Sequence, residues 1–103
     1  MRLAKPFIDL GLQTNQRESM LAFWGQTVGL EFEELLKVGG GTHQLRHQCN
    51  GSVFKLNHLR APLQDRPVSG YQGLILAEDS VDEPVTLADP DGNRVTLVPP
   101  GYD

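Results

Sequence analysis

Asn50-Gly51 sits between two strand-like runs, Thr42 to Gln48 and Ser52 to Leu59. Both residue types tolerate positive φ, which a two-residue type I′ turn needs at both positions. The dipeptide therefore predicts a hairpin, and a loop of two residues fixes its register. Cys49 then pairs with Ser52, Gln48 with Val53, Arg46 with Lys55 and Gln44 with Asn57. The opposite face pairs His47 with Phe54, Leu45 with Leu56 and His43 with His58. One face is expected to be rich in Arg, Lys, Gln and Asn, and the other to carry Leu, Phe and all three histidines of the chain.

The flanking sequence supplies the rest of a module. Phe7 to Thr14 alternates with period two, with Ile8, Leu10 and Leu12 on one side and Asp9, Gly11 and Gln13 on the other. Asn15, with Glu18 three residues on, resembles a capping box. Glu18 to Val28 places Met20, Leu21, Phe23, Trp24 and Val28 largely on one side at helical spacing, and Gly29 is the C-cap candidate. Phe23 and Trp24 are read as core anchors. Glu31 to Val38 is a less regular strand ending at Gly39-Gly40-Gly41. Beyond a polar, proline-containing link (Arg60 to Gly70), Tyr71 to Ala77 reads as an apolar strand. Val85 to Ala88 and Arg94 to Val98 then form a last hairpin around Pro90-Asp91-Gly92. The fold class is α+β: a βαβββ module over residues 1–60, and over 70–103 a second module lacking its helix.

A chain of 103 residues suffices for a single domain with one core. Its net charge of −4 argues against a nucleic-acid partner, which would need clustered excess Lys and Arg. No apolar stretch approaches the roughly 20 residues of a membrane span, and the start has no apolar signal-peptide region. Cys49 is the sole cysteine, so no intrachain disulfide and no cysteine-pair zinc motif exists. A cytoplasmic location is expected.

Three stretches, taken in order, resemble the vicinal oxygen chelate superfamily (glyoxalase I, bleomycin-resistance proteins, extradiol dioxygenases). They are Ile8 to Leu30 with Phe23-Trp24 and Val28-Gly29-Leu30, then Gly51-Ser52-Val53-Phe54-Lys55-Leu56, then Asp89 to Val98 with its Asp-Pro-Asp-Gly turn. The resemblance implies two modules forming a cupped sheet that holds a small ligand. In metal-using members four ligands, typically His, Glu or Gln, come from the first, fourth, fifth and last strands. The matching stretches put those positions at Asp9, Lys55, Gly73 and Thr96. Asp9 could bind a divalent cation, but a charged lysine cannot ligate, Gly73 has no side chain and Thr96 is a weak neutral ligand. The resemblance thus implies the fold and the pocket without the metal chemistry.

What replaces the metal is expected to be Asp9 beside Lys55, either filling the site as an ion pair or binding an anionic or carbonyl oxygen. Arg46 faces Lys55 in the hairpin, and like charges in that position are unfavourable, so a negative group is expected between them. Gln13, Gln44, Asn57 and Thr96 would add hydrogen bonds. The leading function is a metal-independent small-molecule-binding protein with a polar cup favouring an anionic ligand, and no cofactor. The alternative is a glyoxalase-like lyase, isomerase or dioxygenase, using Asp9 and Lys55 as acid–base groups or an unrecognised divalent-metal site. A one-residue slip would turn His43, His47 and His58 into the cup as metal ligands. In the expected register they are partly exposed imidazoles under the helix edge. Leu74, Leu76, Val95 and Leu97 should line the face that a second helix would cover. A homodimer, or a further domain of the same protein, is expected there.

Overall fold

A computed structural model describes residues 1–64 and 69–102, and the chain divides into two compact units, Met1–Gln64 and Asp65–Asp103. The first holds β1 (Asp9–Thr14), α1 (Arg17–Ala22) running on into a π-helical turn (Phe23–Thr27), β2 (Glu31–Gly39), β3 (Thr42–Cys49) and β4 (Ser52–His58). The second holds β5 (Leu74–Ala77), β6 (Val85–Ala88) and β7 (Arg94–Val98). No helix among the described residues is long and apolar enough to cross a membrane.

The β3–β4 hairpin has the register its turn dictates, from Cys49 opposite Ser52 to His43 opposite His58. Asn50 and Gly51 both take positive φ, 49° and 96°. The sheet order is β1-β4-β3-β2, with β1 parallel to β4 and the other pairs antiparallel. Register shifts in β2, between Phe32 and Glu34 and between Lys37 and Gly39, account for its irregular pattern.

The helical segment covers the face carrying Leu45, Phe54 and Leu56. Met20 and Trp24 are buried with them, and the Trp24 and Phe54 rings lie 4.4 Å apart. Each such side chain contributes roughly 1.5–3 kcal/mol by leaving water. The helix start differs from the capping box read in the sequence. Gln16 donates its N–H to Thr14 Oγ1 at 2.9 Å. The Asn15 amide instead donates to the Leu59 and Ala61 carbonyls, and its oxygen accepts the Leu63 N–H. The helix closes through Val28 N–H on the Phe23 carbonyl, five residues back, and Gly29 follows with φ 91°.

His43, His47 and His58 stay on this helix-side face. His47 is fully buried, not partly exposed as expected, because Phe32 and Phe54 pack edge-on against its ring. Its Nδ1 lies 3.2 Å from the Leu45 carbonyl. Burial pushes its pKa down, while the Leu45 and Phe54 backbone groups pull the other way. The ring is therefore neutral and donates from Nδ1. No group of three metal-ligating side chains occurs among the described residues.

In the second unit β7 is central, parallel to β5 and antiparallel to β6. Buried Asp89 organises the turn before β7: Oδ1 accepts the Asp91 and Asn93 N–H groups, and the Asn93 amide reaches both carboxylate oxygens. The face expected to lie bare is partly covered. Val95 is buried, Leu74, Leu76 and Leu97 are half-buried, and Val85 is exposed.

Candidate functional site

Strand pairing assembles the polar face of the first sheet into rows. One row runs Gly11, Lys55, Arg46, Glu34; the next runs Gln13, Asn57, Gln44, Leu36. Residues directly paired across a ladder share a face, so six of the seven expected site residues come together here. They are Asp9, Gln13, Gln44, Arg46, Lys55 and Asn57. Thr96 lies in the second unit, its Oγ1 2.9 Å from Thr86 Oγ1 on the neighbouring strand.

The charges on this face are satisfied one by one. Lys55 Nζ is 3.3 Å from Asp9 Oδ2, and Lys5 Nζ is 3.1 Å from Asp9 Oδ1. Arg46 Nε is 3.8 Å from Glu34 Oε1. Arg46 Nη1 also donates to Gln44 Oε1, and Gln44 Nε2 donates to Asn57 Oδ1, both at 3.0 Å. The negative group expected between Arg46 and Lys55 is therefore supplied twice by the protein, by Glu34 and by Asp9, so their opposition does not by itself require a ligand anion. Hydrogen bonds from Lys5 first and Lys55 second hold the Asp9 carboxyl below its ordinary pKa, against some desolvation. Lys5 and Glu34 were not legible as site residues. Lys5 precedes the strand, and the Glu34–Arg46 pairing depends on the register shift after Phe32.

No protein-family model and no curated protein sequence matches the chain. Solved structures do. A trypanothione-dependent glyoxalase I of Leishmania major superposes with a TM-score of 0.77 at 11% identity, over 93% of this chain and 87% of that one. TnmS3, an antibiotic binding protein from Streptomyces sp. CB03234, gives 0.67 at 17% identity over 97% and 100%. A glyoxalase/bleomycin resistance protein from the same organism gives 0.64 at 19% over 89% and 98%. The chain has the vicinal oxygen chelate fold.

The four positions at which that fold was expected to place metal ligands do not suit a divalent cation here. Asp9 already bridges two ammonium groups, one of them Lys55. A Cβ at Gly73 would stand 3.0 Å from the Arg94 carbonyl oxygen, so the close approach of β7 keeps that position without a side chain. Thr96 offers a neutral hydroxyl in contact with Thr86. The fold is that of the glyoxalase and bleomycin-resistance proteins, with a donor set built for hydrogen bonding and ion pairing.

Proposed function

We propose that the chain is a metal-independent small-molecule-binding protein of the glyoxalase/bleomycin-resistance type, whose polar sheet face takes an anionic ligand. The observation that carries this reading is the sharing of one carboxylate, Asp9, between Lys5 and Lys55. In the contacts around Asp9 and Arg46, the three cations Lys5, Lys55 and Arg46 meet the two carboxylates Asp9 and Glu34, while Glu31 and Glu33 stand farther along the sheet beside Gln48. An incoming carboxylate or phosphate oxygen can take Lys55 while Asp9 keeps Lys5, so no charge is stranded. The amides of Gln13, Gln44 and Asn57 stand in the adjoining row to hydrogen-bond the ligand. A lowered Asp9 pKa favours binding over general-base catalysis, because a weakly basic carboxylate abstracts protons poorly near neutral pH. The likeness in fold to an antibiotic binding protein supports the same class.

The test is a thermal-shift screen of anionic metabolites and antibiotics, followed by calorimetry on wild type and Lys55→Ala. A hit that weakens about tenfold or more in Lys55→Ala supports the reading. No hit, or hits indifferent to Lys55, would refute it. We also propose that two copies associate, since Ile75 and Val85 stay exposed on opposite faces of the second sheet. A monomer in sedimentation at about ten micromolar would count against it.

A further inference from the structure

The opposite face of the first sheet carries a concavity of about 450 Å³ that the proposed function does not use. It lies where β3, β4 and the start of α1 meet the segment after β4. Two arginines and two histidines line it (Arg17, His43, His58 and Arg60), with no carboxylate among the lining residues. The two guanidiniums concentrate positive charge there on a chain whose net charge is −4. Leu59 and Pro62 add an apolar side.

The lining is assembled by specific contacts. His43 and His58 are directly paired across the hairpin, and Lys37 is paired with His43 from β2. Arg17 Nη1 lies 3.4 Å from His43 Nδ1. A guanidinium only donates, so His43 Nδ1 is the acceptor in this contact. Arg60 folds across Gly41. A Cβ there would lie 3.1 Å from Arg60 Nε and 3.4 Å from Cζ, and the φ of +77° also disfavours any other residue. The segment that bears Arg60 is pinned by Asn15, whose side chain bonds Leu59 and Ala61 carbonyls and the Leu63 N–H at 2.7–3.0 Å.

We propose that this concavity is a binding site for the phosphate group of a small organic molecule. Two guanidinium forks flanked by imidazoles match the several oxygens and double charge of a phosphate monoester or diphosphate. The volume falls in the range of small-molecule sites, roughly 300–1,000 Å³. The apolar side offers contact for the organic part.

The experiment titrates inorganic pyrophosphate into the full chain at constant ionic strength, following the histidine ring signals by NMR. Saturable shifts of His43 and His58 with His47 unmoved are expected. Arg17→Ala and Arg60→Ala should each weaken binding about tenfold or more. Arg60→Lys, which keeps the charge and loses the fork, should fall between. An unmoved His47 signal in each variant reports that the sheet is intact. Lys55→Ala should leave the titration unchanged, which separates this site from the polar face. Shifts that sodium chloride reproduces at equal ionic strength, binding as tight in Arg60→Ala as in wild type, or binding abolished by Lys55→Ala would each overturn the proposal.

Discussion

Asp9 and Lys55 are joined across parallel strands at 3.3 Å, although Lys55 stands opposite Gly11 and Asp9 opposite Val53. The ammonium reaches diagonally past Gly11, a residue with no side chain to obstruct it. The other Asp9 oxygen remains for Lys5. The carboxylate is thus shared, and the two lysines do not act on it equally.

The first prediction concerns that inequality. Lys5 is the larger cause of the lowered Asp9 pKa and Lys55 the second. A carboxyl-detected NMR titration should show the Asp9 pKa rising in both Lys5→Ala and Lys55→Ala, and rising further in Lys5→Ala. The sign for stability follows: a lowered folded pKa helps above the ordinary value of 3.8 and the help is lost as pH falls through the folded value. A larger rise in Lys55→Ala would show that the cross-strand pair dominates.

His47 gives a pH dependence of the same sign in a higher window. Its folded pKa is lowered by burial from an ordinary 6.5, so below that value the unfolded chain takes the proton more readily. Its contribution is complete above about pH 6.5 and is lost as pH falls toward the folded value. His47→Leu removes the titration. It leaves the Leu45 carbonyl without its donor but also removes Nε2, a buried atom with no hydrogen-bond partner among the described residues. The two effects offset, so the variant should lie within about 1 kcal/mol of wild type at neutral pH. Urea unfolding at about pH 7.5 and about pH 5 should show a smaller loss in the variant than in wild type. Equal losses would assign the pH dependence to other groups.

How much of this could be read from sequence varied with the range of the interaction. The β3–β4 pairing was legible because a two-residue turn leaves one register, and it carried Arg46, Lys55, Gln44 and Asn57 to one face without further information. Asn15 was misread because its local role as a cap competes with bonding to residues 44 to 48 positions away, which no local pattern reveals. Alternation placed His47 on the correct face but could not say how deeply Phe32 and Phe54 would bury it. Glu34 was invisible as the partner of Arg46 because a shift in β2 sets that pairing. The basic concavity was half legible: the hairpin pairs His43 with His58, whereas Arg60 arrives on the segment that Asn15 ties down.

The turn itself makes a third prediction. Gly51 has φ +96°, and a Cβ there would fall 2.5 Å from Phe7 Cε1. Gly51→Ala should cost about 1–2 kcal/mol from the left-handed backbone alone. Phe7 is half exposed and precedes β1, so its ring can move aside. The cost should therefore persist in a Phe7→Ala background. A double-mutant cycle by urea unfolding measures this, and a cost that vanishes with Phe7 would place the strain in the ring contact.

Gly11 allows the polar face to be blocked without damaging the sheet. It is opposite Lys55, and a Cβ there would meet only Asn57 Nδ2, at an ordinary 3.4 Å. A leucine at this position would project over the gap that Lys55 crosses to reach Asp9. The strand should tolerate it, because glycine within a strand is itself destabilising by roughly 0.5–1 kcal/mol relative to alanine. Gly11→Leu is therefore expected to unfold at or slightly above the wild-type midpoint while losing at least tenfold in affinity for any ligand held by Lys55. Calorimetry and thermal unfolding on the same sample check both halves. Full affinity with a leucine in place would mean that the ligand does not approach Lys55 across β1.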